Sequence, residues 1–158
     1  MNQPSGTGPL PAETVVVLSI SPIAEDHIEL ERIFSRPEWS LYTEAKWTMH
    51  AAGDLESALA ILRNNPAAIV LSECDLAPGT WRDVLAEISN LSDPPLLIVA
   101  SLHADEQLWA EALNVGAYDV LAKPFDPEEA IRVLSLAWIH RNYREIRNRT
   151  TMTMATAS

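Results

Sequence analysis

The sequence has little cysteine and no long apolar run, and each shortage excludes a class of protein. Cys74 is the only cysteine among 158 residues, which excludes an internal disulfide framework and suits a reducing compartment. No apolar run approaches the roughly 18 residues of a membrane-spanning helix. The N-terminus lacks the basic and apolar segments of a secretory signal peptide. We therefore expect a cytoplasmic protein that does not engage membranes.

Basic residues are also scarce, since 11 Lys and Arg stand against 22 Asp and Glu, for a net charge of −11. Such a protein repels phosphate backbones, so nucleic acid is not an expected partner. The segment 141–149 is the exception, because it carries four Arg and one Glu. We interpret this segment as a solvated helix end, with a docking surface as the alternative.

Runs of apolar residues predict strands at regular intervals along what the length indicates is one domain. Continuous apolar runs at 14–20, 67–73 and 95–101 are typical of strands buried on both faces, and a shorter run follows at 118–122. A further strand is expected at either 41–45 or 47–52. We favour 47–52, because that register leads into the following helix without an insertion.

Helix start signals lie in the gaps between these strands. Asp54 is placed to cap one helix, and Thr80 with Asp83 forms a capping-box pattern for another. Asp126, followed by proline and two glutamates, predicts the start of the last helix, which we expect to end near Ile146. Five strands that alternate with five helices predict an α/β fold, with a parallel sheet covered on both faces.

The expected domain spans 14–147, between a flexible N-terminal arm at 1–13 and a disordered tail at 148–158. Open parallel sheets place their functional sites at the carboxyl ends of the strands. Glu73 and Ser101 stand at two such ends, and Lys123 lies just beyond a third. These side chains are therefore the first candidates for a site.

The segment "GAYDVLAKPFDPEE", residues 116–129, resembles the end of a response-regulator receiver domain, with a short strand and then Lys-Pro-Phe before the last helix. Ser101 precedes Gly116 by 15 residues, as the hydroxyl residue of that family does. The resemblance covers about 14–140. It implies a flavodoxin-like, doubly wound sheet with strand order 2-1-3-4-5 and a role in two-component signal transduction.

The resemblance also assigns chemistry to positions in this chain. Receivers use an aspartate as phosphoacceptor, a pair of acids that hold Mg²⁺, and a lysine and a hydroxyl that bind the phosphoryl group. Lys123 and Ser101 match the last two. Glu73 stands in place of the phosphoacceptor, and Ser21 and Pro22 stand in place of the acids.

These departures predict a degenerate phosphoacceptor pocket, with no catalytic residue, no metal and no cofactor. The alternative is a phosphorylatable receiver of a phosphorelay, in which Glu25, Asp26 or Asp75 returns a carboxylate to the pocket. A third interpretation is that the chain is a fragment of a longer regulator, with 141–149 as the start of a linker helix. Cys74 is interpreted as a small buried apolar side chain rather than a nucleophile.

The last two helices supply candidates for a protein interface. Trp109, Arg132 and Trp138 belong to the residue types that dominate interface energetics, and they lie where receivers dimerise or bind partners. We therefore expect a signalling partner protein or a second copy of the chain on this face. In the alternative interpretation both tryptophans are core residues.

Overall fold

Strands and helices alternate along residues 13–157, the part of the chain that the computed structural model describes; side chains are described for residues 13–144. The flexible arm expected at 1–13 falls, apart from Glu13, outside the described residues. Within that part, no helix has both the length and the hydropathy to cross a bilayer. The elements in chain order are β1 (Thr14–Ile20), α1 (Ala24–Phe34), a short 3-10 helix (Pro37–Leu41), β2 (Lys46–Ala52), α2 (Leu55–Asn64), β3 (Ile69–Glu73), α3 (Trp81–Ile88), β4 (Leu96–Ser101), α4 (Glu106–Val115), β5 (Asp119–Ala122) and α5 (Pro127–Ala157).

All strand pairs are parallel, and the sheet has the order β2-β1-β3-β4-β5. The predicted fold class and strand order are therefore confirmed. Alternate residues of β3 pack on opposite faces of the sheet, with Ile69 and Leu71 in one apolar core and Val70 in the other. Both faces are covered, which explains why the sequences of β3 and β4 are apolar without alternation. The first core includes residues of α1 and α5, and the second includes residues of α2, α3 and α4.

The second strand lies at Lys46–Ala52, as favoured from the sequence, and pairs with β1 from Thr14 onward. The rejected segment at 41–45 begins at the end of the 3-10 helix. Trp39 of that helix is buried, and its ring lies 4.4 Å from the ring of Trp47 in β2. The contact folds the connection against the sheet, so that it covers the first core instead of adding a strand.

The caps predicted at Asp54 and at Thr80 with Asp83 are present. The Asp54 side chain accepts from the Ser57 amide, and Thr80 and Asp83 form the reciprocal capping box of α3. The predicted end of the last helix near Ile146 is wrong, because α5 continues to Ala157 through most of the segment expected as a tail. No glycine or proline follows residue 127, so the sequence contains no helix breaker there.

Candidate functional site

Three charged side chains meet at the carboxyl edge of the sheet. The Lys123 ammonium donates a hydrogen bond to Asp26 Oδ2 over 2.7 Å and also contacts Glu73 Oε2. The side chain of Lys123 is only 4% exposed, and those of Asp26 and Glu73 are 12% and 11% exposed. The three residues, named here the charged triad, therefore form a nearly buried cluster of two carboxylates and one cation.

The position of Lys123 follows from its place directly after β5. Its backbone amide donates to the Ser101 carbonyl over 2.9 Å, which ties the residue to the end of β4. Burial acts to lower the pKa of Lys123, but the hydrogen bonds and charges of Asp26 and Glu73 outweigh it, and the net pKa is raised. The ammonium is therefore charged at neutral pH. Glu73 and Lys123, both candidates for a site at this edge of the sheet, are in contact.

Asp26 reaches the triad from the first turn of α1, which the sequence analysis considered only as an alternative. The Ser21 hydroxyl donates to Asp26 Oδ2 over 2.7 Å and accepts from the Ile23 amide over 3.0 Å. Asp26 shares a helical face with Leu30 and Ile33, both buried. The signal for Asp26 in the sequence is a carboxylate at the first position of a helical stripe whose other residues are apolar.

His27 fixes the turn that precedes Asp26. Its Nε2 lies 3.0 Å from the Ser21 carbonyl, and its Nδ1 lies 2.9 Å from the Ser19 hydroxyl. A carbonyl oxygen can only accept, so Nε2 must carry a proton and donate. The half-buried histidine is thus hydrogen-bonded through both nitrogens and holds the end of β1 to the start of α1.

The side chains of the other predicted site residues form no hydrogen bond or ion pair with the side chains of the triad among the described residues. The buried Ser101 hydroxyl accepts from the His103 amide over 3.0 Å and so caps the loop after β4. Asp75 is exposed, and its backbone forms an isolated bridge with Thr80. Pro22 is exposed beside Ser21. The structure brings together Glu73, Lys123, Ser21 and Asp26, but leaves Ser101, Asp75 and Pro22 outside the cluster.

The observed environment argues against two chemical roles for this edge, a thiol nucleophile at Cys74 and a metal site. Burial raises the pKa of the Cys74 thiol, and the charges of Asp75 and Glu73 raise it further, so the thiol is protonated and a poor nucleophile at neutral pH. Among the residues with described side chains, no group of three or more His, Cys, Asp or Glu is arranged to hold a metal ion. The Lys123 ammonium itself lies against the two buried carboxylates.

The three predicted interface residues have different environments. Trp109 on α4 is 51% exposed, and Arg132 on α5 is also exposed. Trp138 is partly buried, packs on the first core, and has its ring 6.5 Å from that of Trp47 in an edge-on geometry. Trp138 is therefore mainly a core residue, whereas Trp109 and Arg132 are available at the surface.

Comparisons with known proteins agree with this architecture. The sequence profile of the response regulator receiver domain matches residues 23–135. The signal receiver domain of an HD domain-containing protein from Pseudomonas fluorescens Pf-5 is 24% identical, with a TM-score of 0.70 over 83% of this chain and 99% of that chain. A response regulator receiver domain protein from Clostridium thermocellum is 17% identical, with a TM-score of 0.67 over 82% and 98% of the two chains. No curated protein matches the sequence.

Proposed function

Because the chain belongs to the response regulator receiver domain family, we propose that it is a degenerate receiver, which acts in signal transduction by binding proteins and does not accept a phosphoryl group. The observation that carries the proposal is the charged triad, in which the Lys123 ammonium is held by Asp26 and Glu73. We place this activity in the cytoplasm, because a chain with one cysteine cannot form an internal disulfide and suits a reducing compartment. The domain is a binding module and not an enzyme.

Two properties of Glu73 make it unsuitable as a phosphoryl acceptor: the length of its side chain and its ion pair with Lys123. Glutamate is one methylene longer than aspartate, and a misplacement of about 1 Å at a reacting atom can cost roughly a hundredfold in rate. Its carboxylate is also paired with Lys123, the residue that would otherwise bind the transferred phosphoryl group. The contact resembles the one that a phosphoryl group on a shorter side chain would make with the same lysine.

The absence of a pair of acids directly after β1 argues against metal assistance. Mg²⁺ requires octahedral oxygen coordination with help from carboxylates, and Ser21 and Pro22 supply none. Asp26 does bring a carboxylate to the pocket, but Oδ2 accepts from both Ser21 and Lys123. The carboxylate that could rescue a metal site is therefore already used to neutralise the lysine.

A mass measurement after treatment with a phosphodonor tests the proposal. Incubation with acetyl phosphate and Mg²⁺ is expected to leave the intact mass unchanged, because the longer Glu73 replaces the phosphoacceptor aspartate and Ser21 and Pro22 replace the metal-binding acids. An active receiver domain serves as the positive control for the donor. A stoichiometric, base-labile gain of one phosphoryl group would instead support a phosphorylatable receiver and end the degenerate assignment.

A constant binding surface follows from a pocket that does not switch. In the folded chain the triad holds α1, β3 and the residue after β5 in one arrangement. Trp109 and Arg132 define a surface that we name the α4–α5 surface. This surface would then keep one conformation and stay accessible to a signalling partner or to a second copy of the chain. Exposed tryptophan and arginine are the side chains that most often dominate such contacts.

Substitutions on the α4–α5 surface test this part of the proposal. Trp109→Ala and Arg132→Glu are each expected to weaken association about tenfold in sedimentation or pull-down experiments, with and without phosphodonor, while circular dichroism stays unchanged. Ile28→Ala on α1 is the matched control, since Ile28 is 47% exposed and should leave association unchanged. If both surface variants associate as well as the parent, the binding surface lies elsewhere.

A further inference from the structure

A groove between α2 and α3 lies outside both the charged triad and the α4–α5 surface. It encloses about 510 Å³ and is formed along two helices of the second core, on the sheet face opposite α1 and α5. It shares no lining residue with either of the other two features. The lining residues are Asp54, Leu55, Glu56, Leu59, Pro78, Gly79, Asp83, Ala86 and Glu87.

The apolar part of the groove comes mainly from α2. Leu55 and Leu59 are one turn apart and therefore lie on the same side of the helix. Both are only partly buried, because they pack on the second core while they line the groove. Pro78 and Ala86, both exposed, extend this apolar surface. The groove thus offers apolar contacts to an aliphatic side chain from outside the domain.

The polar part of the groove carries charge of one sign. Asp54, Glu56, Asp83 and Glu87 are all exposed, and the groove has no basic lining residue. Asp54 and Asp83 are held in place as helix caps, with 2.8 Å hydrogen bonds from the amides of Ser57 and Thr80. A ligand that fits must therefore supply positive charge.

The nearest basic side chain on α3 does not neutralise this charge. Arg82, the neighbour of Asp83, forms an ion pair with Glu111 on α4 and stacks over the Trp81 ring at 4.9 Å. The acidic groups also do not converge as metal ligands do, since no such group occurs among the described side chains. Apolar contacts flanked by separated carboxylates suit an extended ligand with several cations.

We propose that this groove binds an amphipathic basic helix of a partner protein, with aliphatic side chains on Leu55 and Leu59 and Lys or Arg side chains against the four carboxylates. Helix-in-groove recognition inserts aliphatic anchors of the ligand helix into an apolar groove, and Leu55 and Leu59 supply the apolar wall of this groove. The opposite charges steer the partner to this side of the protein. The domain would then have a second binding surface that is independent of the α4–α5 surface.

The probe for this proposal is a synthetic 14-residue helix of leucine and lysine, with leucine at helical spacing and a fluorescent label. Its fluorescence anisotropy is titrated with the full chain at physiological salt, so that distant charges are screened. The double variant Glu56→Lys/Glu87→Lys is expected to weaken binding about tenfold or more. Ala86→Trp, which fills the groove without a change of charge, is expected to weaken it similarly. All three positions are exposed, and circular dichroism checks that the variants fold.

The control with the same charge change is Glu31→Lys/Glu44→Lys, which places two lysines at exposed positions on α1 and in the loop before β2. This control and Trp109→Ala are expected to leave the peptide affinity unchanged. Equal losses for the two charge reversals would show only a general attraction to an acidic protein and would overturn the proposal. Loss of binding in Trp109→Ala, or undiminished binding in Ala86→Trp, would overturn it as well, whatever the result of the phosphodonor test.

Discussion

Replacement of Lys123 by Met is expected to lower the free energy of unfolding by about 3–5 kcal/mol, the cost of breaking a buried ion pair by removing one partner. Methionine retains an unbranched apolar side chain but removes the ammonium that Asp26 and Glu73 share. Two nearly buried carboxylates then lie close together without a cation. Urea denaturation followed by tryptophan fluorescence at neutral pH measures the change.

Neutralising the carboxylates should recover part of this loss. Glu73→Gln and Asp26→Asn in the Lys123→Met background remove the buried negative charges, so the triple variant should be more stable than Lys123→Met alone. The chain has one other lysine, the exposed Lys46, and Lys46→Met should change the free energy of unfolding by less than about 0.5 kcal/mol. Strict additivity of the three substitutions would show that the triad does not act as a unit.

The same pairing has a defined pH dependence. The pKa of Lys123 is raised above its usual 10.5, because the hydrogen bonds and charges of Asp26 and Glu73 outweigh the effect of burial. A raised folded-state pKa gives stability that is complete below the unfolded pKa and is lost as pH rises through the folded pKa. The difference in stability between the parent and Lys123→Met should therefore be constant from neutral pH upward and decrease only above about pH 10.5.

Part of the site could be predicted because strand ends are visible in the sequence. Glu73 and Lys123 each follow an apolar run, and the parallel sheet brings those ends to one edge. Asp26 does not follow a strand directly, because residues 21–25 separate it from the end of β1 at Ile20. Its entry into the pocket depends on how α1 packs against the sheet, which is a tertiary contact that local spacing does not determine.

The fold, like the site, could be predicted only in part from the sequence. Strands buried on both faces have an unmistakable apolar sequence, so their order of appearance was predicted with only β2 left between two segments. The connection before β2 was not predicted as a 3-10 helix, because the packing of Trp39 on Trp47 of β2 fixes it and propensity does not. Composition alone could not separate buried Trp39 from exposed Trp109.

Substitution of Trp39 by Ala is expected to lower the free energy of unfolding by about 3–5 kcal/mol, as is usual for a buried tryptophan. The residue is 5% exposed, its ring stacks on Phe34 with a centroid distance of 5.2 Å, and it packs on Trp47 in a tilted arrangement with a centroid distance of 4.4 Å. Its Nε1 donates over 2.8 Å to the carbonyl of Ile33, in the last turn of α1. Alanine therefore leaves a cavity, and the Ile33 carbonyl keeps only its second hydrogen bond, from the Arg36 amide over 3.1 Å.

The matched control uses the same residue type in a different environment. Trp109→Ala removes a ring that is 51% exposed and should cost less than about 1 kcal/mol in the same denaturation measurement. Trp39→Phe keeps an aromatic ring beside Phe34 and Trp47 but loses the N–H donor, so its cost should lie between those of the two alanine variants. Equal costs for Trp39→Ala and Trp109→Ala would show that the aromatic cluster does not stabilise the junction of α1 and β2. A large cost confined to Trp39 would show that this junction, which places α1 and its Asp26 on the sheet, depends on aromatic packing.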